Sequence, residues 1–168
     1  MKGAKPLTLA AVVIVVALLS TSGGAVARPL AAACEPDSTL DCGDTDSWNT
    51  TWLGSTDQVD SYSCMPSWDE SGQEYAYEFT PTQTVTATAT LSNMTVDLDV
   101  FALQDTGAGC DPSDCIAFGD DSATFTAQAG ETYYIVVDGY EGEQGAYTIE
   151  LSCPPSPRLY LPLILKNY

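Results

Sequence analysis

The segment that most constrains the fold is residues 130–153, close to the end of the chain. Its second half, Ala146–Ser152, alternates apolar and polar side chains with the period of two that is typical of a strand with one buried face. Its first half, Thr132–Val137, is apolar on both faces, which indicates a strand in the middle of a two-layered sandwich. Asp138–Gly145 carries three glycines between these strands and predicts the turn of a hairpin. The rest of the chain must then supply partner strands and a second sheet.

The preceding part of the chain has the same pattern of short strands separated by turns. Six further strands are predicted, at residues 59–64, 74–79, 83–91, 96–103, 116–118 and 123–127. Residues 28–49 contain few large apolar side chains, so they predict a lead-in with room for one edge strand. Eight short strands without helical periodicity predict an all-β protein that folds as a single, disulfide-stabilised β-sandwich of jelly-roll type.

Both ends of the chain differ in composition from this sandwich. Residues 1–27 combine two lysines, an apolar run and a small-residue cleavage site, which is the pattern of a secretory signal peptide. The apolar run is too short to span a membrane, so we expect a secreted or cell-surface protein. Residues 28–40 are predicted to form an N-terminal arm and residues 41–153 the sandwich. Residues 154–168 join a Pro-rich linker to an apolar tail, which is either an edge strand or a docking or sorting segment.

The charge of the chain is one-sided. All 23 Asp and Glu residues lie between residues 29 and 157, a span that contains no Lys, Arg or His. A domain built from this span cannot form an internal salt bridge with a basic side chain, and it would repel nucleic acid and anionic membranes. We therefore expect its partners to be cations, or an extracellular polymer or secreted protein that carries basic groups.

Six cysteines in an exported chain of this length predict three disulfides. Because the chain contains no His, a zinc site built from Cys and His is excluded. Cys110 and Cys115 flank a short turn, and we predict that they pair with each other. The remaining four cysteines can pair in three ways, all of which stay open. The nested arrangement is the predicted one, namely Cys34–Cys153 and Cys42–Cys64.

The chain lacks the residues of most hydrolytic mechanisms. It contains no His, and the one lysine that would remain after signal cleavage, Lys166, lies in the tail. No ordinary base is therefore available to activate a Ser or Cys nucleophile. A pair of carboxylates, as in glycosidases, is the catalytic arrangement that 23 acidic residues still permit. We predict a protein without enzymatic activity and keep a carboxylate-based glycosidase as an alternative.

Aromatic side chains in the predicted loops are candidates for ligand binding. They are Trp48, Trp52, Trp68 and Tyr140. Their rings could form a stacking platform for a glycan or for the apolar side chains of a polymer. The alternative is that they cap the ends of a sandwich whose strands are otherwise rich in small residues. The residue types and their spacing are compatible with both interpretations.

The acidic residues Asp97 and Asp99 alternate with apolar residues in a predicted strand, so both lie on one face, about 6.6 Å apart along the strand. Two adjacent carboxylates oppose strand formation unless water or a cation neutralises their repulsion. Because Ca²⁺ binds clustered carboxylate and carbonyl oxygens, we predict a calcium site formed by Asp97, Asp99 and Asp138. The alternative is a solvated outer face without a bound ion, which also limits aggregation between sheets.

Five blocks of the sequence, taken in order, resemble the bacterial pre-peptidase C-terminal domain. They are Tyr62–Cys64, Gly72–Phe79, Asp97–Phe101, Ala129–Gly139 and Gly145–Thr148. The resemblance extends from about Asp41 to Cys153. It implies a β-sandwich module of the kind found beside the catalytic domains of secreted proteases and on other exported proteins. It further implies a non-catalytic accessory role in adhesion, substrate binding or secretion.

No peptidase domain accompanies these blocks in the sequence, so a module that stands alone is expected. The leading hypothesis is a binding module that works at the cell surface or outside the cell, on an extracellular polymer or a secreted protein. The alternative is an accessory domain that acts in trans on a secreted protease, through folding, targeting or substrate presentation.

Overall fold

The structure is a computed structural model and describes residues 34–154. The predicted signal peptide, the first residues of the predicted arm and the tail from residue 155 lie outside the described residues. The strands are β1 (Ser38–Thr39), β2 (Thr45–Asn49), β3 (Tyr75–Phe79), β4 (Val85–Ser92), β5 (Leu98–Gln104), β6 (Cys115–Gly119), β7 (Ser122–Ala127), β8 (Tyr133–Gly139) and β9 (Ala146–Ser152). Two short turns of 3-10 helix, Pro112–Asp114 and Tyr140–Gly142, complete the elements. Within residues 34–154 no helix is long and apolar enough to cross a membrane.

The strands form two sheets around one core. The first sheet has the order β2-β9-β4-β7, and the second has the order β1-β3-β8-β5-β6. Four antiparallel pairs connect the early strands with the late ones: β2 with β9, β3 with β8, β4 with β7 and β5 with β6. These pairs are the two arms of one long hairpin, β2–β5 against β6–β9, rolled into two layers. This arrangement is the jelly roll, so the predicted fold class is confirmed.

The burial of the strands differs between the two sheets. In the four-stranded sheet, β4, β7 and β9 alternate more buried and more exposed side chains, so one face packs in the core and the other meets water. In the five-stranded sheet, β3, β5 and β8 are buried along nearly their whole length. A sheet that is buried on both faces needs other parts of the chain packed on each face. The four-stranded sheet covers only one face of the five-stranded sheet.

The second cover is the segment 56–72 between β2 and β3, which we call the covering loop. The ring of Tyr62 stacks on Phe101 of β5 with 3.7 Å between ring centroids. Trp68 makes an edge-on contact with Phe118 of β6, with 5.3 Å between ring centroids. These contacts form a second, smaller apolar cluster on the outer face of the five-stranded sheet.

The covering loop contains residues 59–64, which were predicted as a strand, and that prediction is wrong. Val59 and Tyr62 are both buried against the sheet, although a strand would place residues three positions apart on opposite faces. The backbone, however, turns on itself, with the Met65 N–H donating to the Tyr62 carbonyl at 3.0 Å. These two side chains are buried because the loop lies across the face of a sheet, where its backbone does not pair with a strand edge.

The segment 130–153 does not form the predicted hairpin. β8 lies in the five-stranded sheet between β3 and β5, whereas β9 lies in the four-stranded sheet between β2 and β4. The connection between them therefore crosses from one sheet to the other, about 10 Å in packed sheets. The physical reason is that β8 is buried on both faces and belongs at the centre of the covered sheet. Of the three glycines in the connection, only Gly142 has a positive φ, +82°.

Two edge strands lie in the segment that was predicted as a lead-in. β1 is only two residues long and pairs in parallel with β3. β2 has the sequence TDSWN, with a single large apolar side chain, and pairs antiparallel with β9. An edge strand with a solvated face can be built from polar residues, so it lacks the apolar periodicity that marks the inner strands.

All three predicted disulfide pairings are wrong. The structure forms Cys34–Cys110, Cys42–Cys153 and Cys64–Cys115, and it leaves no free cysteine among residues 34–154. The reason is the 3-10 turn Pro112–Asp114, which separates the two cysteines that we expected to pair. The first of them, Cys110, forms a β-bridge with Cys34, and the second begins β6 beside the covering loop. The disulfides thus fasten the arm and the covering loop to the sheets.

Candidate functional site

Four carboxylates are buried between the covering loop and the five-stranded sheet. Asp99 of β5 and Asp138 of β8 are paired residues on neighbouring strands. Glu70 of the covering loop and Glu74, just before β3, complete the group, and none of the four is more than 3% exposed. Because residues 34–154 contain no Lys, Arg or His, no basic side chain within them can neutralise this layer. Buried carboxylates without an opposite charge need hydrogen-bond donors, protons or a bound cation.

Two of these carboxylates have donors. The Tyr62 hydroxyl donates to one oxygen of Asp138 at 2.7 Å, and the Gly139 N–H donates to the other at 2.8 Å. Glu74 accepts a hydrogen bond from the Gln58 N–H at 3.1 Å. Burial nevertheless raises the pKa of Asp138 well above its usual value and raises the pKa of Glu74 as well. These two side chains therefore have a defined structural role in fixing the covering loop.

The other two, Glu70 and Asp99, face each other without a donor. Both oxygens of Glu70 are fully buried and have no hydrogen-bond partner. Burial raises the pKa of Glu70 to about 8, and the charge of Asp99 adds to this rise. Burial also raises the pKa of Asp99 to about 7, together with the charges of Asp97 and Asp120. Since two carboxyls can hydrogen-bond only when one is protonated, the pair near neutral pH needs a proton or a cation.

A cavity of about 210 Å³ lies beside this pair, and we call it the acidic cavity. Its lining consists of Trp68, Asp97, Asp99, Asp120 and Tyr140. Asp97 and Asp120 are exposed, whereas Asp99 belongs to the buried layer. The cavity therefore combines carboxylates in water, a carboxylate in a covered layer and two aromatic side chains. This set of groups suits a positively charged ligand.

The acidic cavity is held together by a close approach of two loops. The Gly72 N–H donates to the Gly139 carbonyl at 2.9 Å, and the Glu141 N–H donates to the Asp69 carbonyl at 2.7 Å. A Cβ atom on Gly72 would lie 2.6 Å from the Gly139 Cα, closer than real Cβ contacts allow. Glycine at both positions therefore lets the covering loop meet the connection between β8 and β9, each of which carries one aromatic residue of the cavity.

The structure places the three residues of the predicted calcium site on or beside the neighbouring strands β5 and β8. Asp97 and Asp99 both line the acidic cavity. Asp138 lies opposite Asp99 on the neighbouring strand, but its oxygens accept hydrogen bonds from Tyr62 and Gly139. Within the described part of the chain, no group of three His, Cys, Asp or Glu side chains is placed to hold a metal ion. Calcium binding remains a prediction that involves Asp97 and Asp99.

The four aromatic candidates form two separate pairs. Trp48 and Trp52 meet edge to face with 5.2 Å between ring centroids, and Trp48 also stacks on Tyr75 at 4.5 Å. Trp52 is 54% exposed at the tip of its loop. Trp68 and Tyr140 instead line the acidic cavity. The fold therefore does not bring all four side chains together into a single stacking platform.

Sequence reasoning missed two acidic residues of the site, Glu70 and Asp120. Glu70 lies in the covering loop, and Asp120 lies in the turn between β6 and β7, so neither stands in a patterned strand. Asp120 stands between Gly119 and Asp121, a turn sequence that carries no sign of a functional role. A single acidic residue in a loop carries no signal for burial, which only the packing of the loop on the sheet reveals.

The fold and the site together define a disulfide-bonded jelly-roll domain with an acidic, aromatic-lined cavity. No family model matches the sequence, and no curated protein matches it either. Solved structures similar to the chain include the pre-peptidase C-terminal domain of collagenase from Bacillus anthracis, with 14% identity and a TM-score of 0.42 over 70% of this chain and 97% of that one. They also include PliG of Aeromonas hydrophila, a periplasmic inhibitor of g-type lysozyme, with 15% identity and a TM-score of 0.42 over 71% and 99% of the two chains.

The Tyr62→Phe substitution tests the role of the covering loop. Removing the hydroxyl deprives the buried Asp138 of its bond at 2.7 Å, and we expect a loss of about 1–3 kcal/mol in the free energy of unfolding. Chemical unfolding of the purified chain measures the change. Tyr134→Phe is the matched control because its hydroxyl reaches the partly exposed Asp105 only at 3.5 Å. Equal losses in both variants would contradict the assignment.

Proposed function

We propose that the chain is a non-catalytic, exported binding module whose acidic cavity receives a positively charged group of an extracellular polymer or a secreted protein. The observation that carries this proposal is the composition of the cavity, in which three carboxylates and two aromatic side chains line one space of about 210 Å³. The three disulfides support export, because such bonds persist in oxidising compartments. Both the cell surface and the extracellular medium meet this condition.

The burial of Glu70 supports binding over glycoside hydrolysis. A glycosidase needs a carboxylic acid of raised pKa that reaches the glycosidic oxygen of the substrate. The pKa of Glu70 is raised to about 8, but its carboxyl is fully buried behind the cavity. The pKa of Asp99 is raised to about 7, but this residue is only 3% exposed. The carboxyls of Asp97 and Asp120 meet the solvent and are therefore suited to hold a ligand by charge.

A retention experiment tests the proposed function. The purified full chain is passed over immobilised chitosan, a cationic polymer, and over neutral dextran, and we expect retention on chitosan that weakens as salt is added. Because the net charge alone attracts a polycation, two double variants of equal charge are compared. D97N/D120N changes the cavity, and E131Q/E150Q changes exposed positions elsewhere. Retention that falls equally in both variants would refute binding through the cavity.

Calcium is a second candidate ligand, because Asp97, Asp99 and Asp120 line one cavity and Ca²⁺ binds carboxylate oxygens. Calcium at about a hundred times its dissociation constant would stabilise the fold by ~2.7 kcal/mol. We expect a higher melting temperature in millimolar calcium than in chelator, and no difference in the D97N/D99N variant. An equal gain from magnesium, or from sodium at matched ionic strength, would indicate charge screening and remove calcium from the proposal.

A further inference from the structure

We propose that the acidic cavity binds the guanidinium group of an arginine side chain presented by a partner protein. This inference rests on the proposed function and names the ligand of the same site. Three properties of the cavity lead to it: an unbalanced charge, aromatic residues in its lining and a small volume.

The first property is the set of acidic side chains in and behind the cavity, which no basic side chain balances. Glu70 is fully buried, and both of its oxygens lack a hydrogen-bond partner. The charges that raise its pKa most are those of Asp99 and Asp97, which line the cavity. No basic side chain occurs between residues 29 and 157, so this part of the chain cannot supply the opposite charge itself. A cation placed against Asp99 would be attracted by the lining carboxylates, and it would replace the proton that the buried pair of Glu70 and Asp99 otherwise needs near neutral pH.

The aromatic residues distinguish a guanidinium from a metal ion. Trp68 is braced by edge-on contacts with Phe101 at 6.3 Å and Phe118 at 5.3 Å between ring centroids. The backbone N–H of Tyr140 donates to the backbone carbonyl of Asp97 at 3.2 Å, which fixes these two lining residues next to each other. A planar guanidinium stacks on aromatic faces and binds carboxylates through paired N–H groups. A calcium ion is instead coordinated by six to eight oxygen atoms, and an aromatic ring is not among its ligands.

The volume distinguishes a single side chain from a chain of sugars. At about 210 Å³ the cavity is smaller than the roughly 300–1,000 Å³ of typical small-molecule pockets. One side chain that enters end-on fits such a space better than a run of sugar rings. Arginine is preferred over lysine because its planar, weakly hydrated head matches both the carboxylates and the rings.

The experiment measures binding of the full chain to poly-L-arginine and poly-L-lysine of equal length by tryptophan fluorescence at fixed ionic strength. We expect tighter binding of the arginine polymer, and a loss of roughly tenfold or more in its affinity in D97N/D120N, since charge-assisted hydrogen bonds are removed. E131Q/E150Q, with the same change in net charge, should keep the preference for arginine. Because both variants replace exposed carboxylates, we expect them to fold like the parent chain, and circular dichroism checks this.

Three outcomes would overturn the inference. Equal affinity for the two polymers would show that the cavity does not select a guanidinium, although chitosan retention that still depends on the cavity would leave the proposed function standing. An equal loss in D97N/D120N and E131Q/E150Q would show attraction by net charge alone and would overturn both. Displacement of the arginine polymer by millimolar calcium, but not by sodium at equal ionic strength, would assign the cavity to a metal ion.

Discussion

Replacing both Cys42 and Cys153 by Ser should lower the free energy of unfolding by ~4–5 kcal/mol, because this disulfide closes a loop over a sequence separation of 111 residues. The cross-link joins the chain just before β2 to the chain just after β9. The same two segments exchange backbone hydrogen bonds, with the Gly43 N–H donating to the Leu151 carbonyl at 2.7 Å. Denaturant unfolding of the unreduced variant and of the unreduced parent chain measures the difference.

The Cys64→Ser/Cys115→Ser variant is the matched comparison for this prediction. Its disulfide spans 51 residues, so the entropic loss should be smaller by roughly 0.5–1 kcal/mol. A loss below about 1 kcal/mol for the longer cross-link would contradict the chain-entropy argument. A peptide map of the unreduced protein that joins Cys110 to Cys115 would contradict the pairing itself.

The Glu70→Gln variant should be more stable than the parent chain at pH 8, by roughly 4–5 kcal/mol, and nearly equal to it at pH 4. Burial raises the pKa of Glu70 to about 8 in the folded protein, above the unfolded value of roughly 4.3. Between these two values the folded state holds more protons than the unfolded state, so the stability of the parent chain falls as the pH rises. Glutamine removes the ionising group and therefore this part of the loss.

Unfolding by denaturant from pH 4 to pH 9 tests this prediction. Many other carboxylates ionise over the same range, so the difference between variant and parent is the quantity to follow. Glu131→Gln, at an exposed position before β8, removes one negative charge from the surface and serves as the control. A Glu70→Gln variant that is less stable than the parent at pH 8 would mean that the carboxylate is already neutralised there, and a bound cation would then have to be sought.

Strands β3–β9 could be predicted because their side chains carry a local pattern. Alternation marked β4, β7 and β9, while continuous apolar runs marked β8 and most of β5. The jelly roll followed from the number of strands and the short turns between them. β1 and β2 were not predicted because edge strands with solvated faces need few apolar residues. Residues 59–64 were wrongly predicted as a strand because a covering loop also contains apolar side chains that it buries against a sheet.

The candidate site could be predicted only in part. Asp97 and Asp99 stood out because two carboxylates in an apolar strand oppose folding, and both line the acidic cavity. Glu70 and Asp120 gave no such signal, since an acidic residue in a loop is most often solvated. Their role depends on where the loops pack. Trp68 and Tyr140 were recognised as aromatic residues in loops, but their meeting at one cavity depended on the close approach of Gly72 and Gly139.

The sequence by itself determined the strand content of this protein, the two-sided burial of β8 and the lack of any basic side chain between residues 29 and 157. Each is a property of residue types or of neighbours two positions apart, so it can be known before the chain folds. The tertiary structure alone decided the disulfide partners, the separation of β8 and β9 into different sheets and the burial of Glu70 beside Asp99. Each of these depends on which distant segments meet, and that is set by the packing of the covering loop and the two sheets.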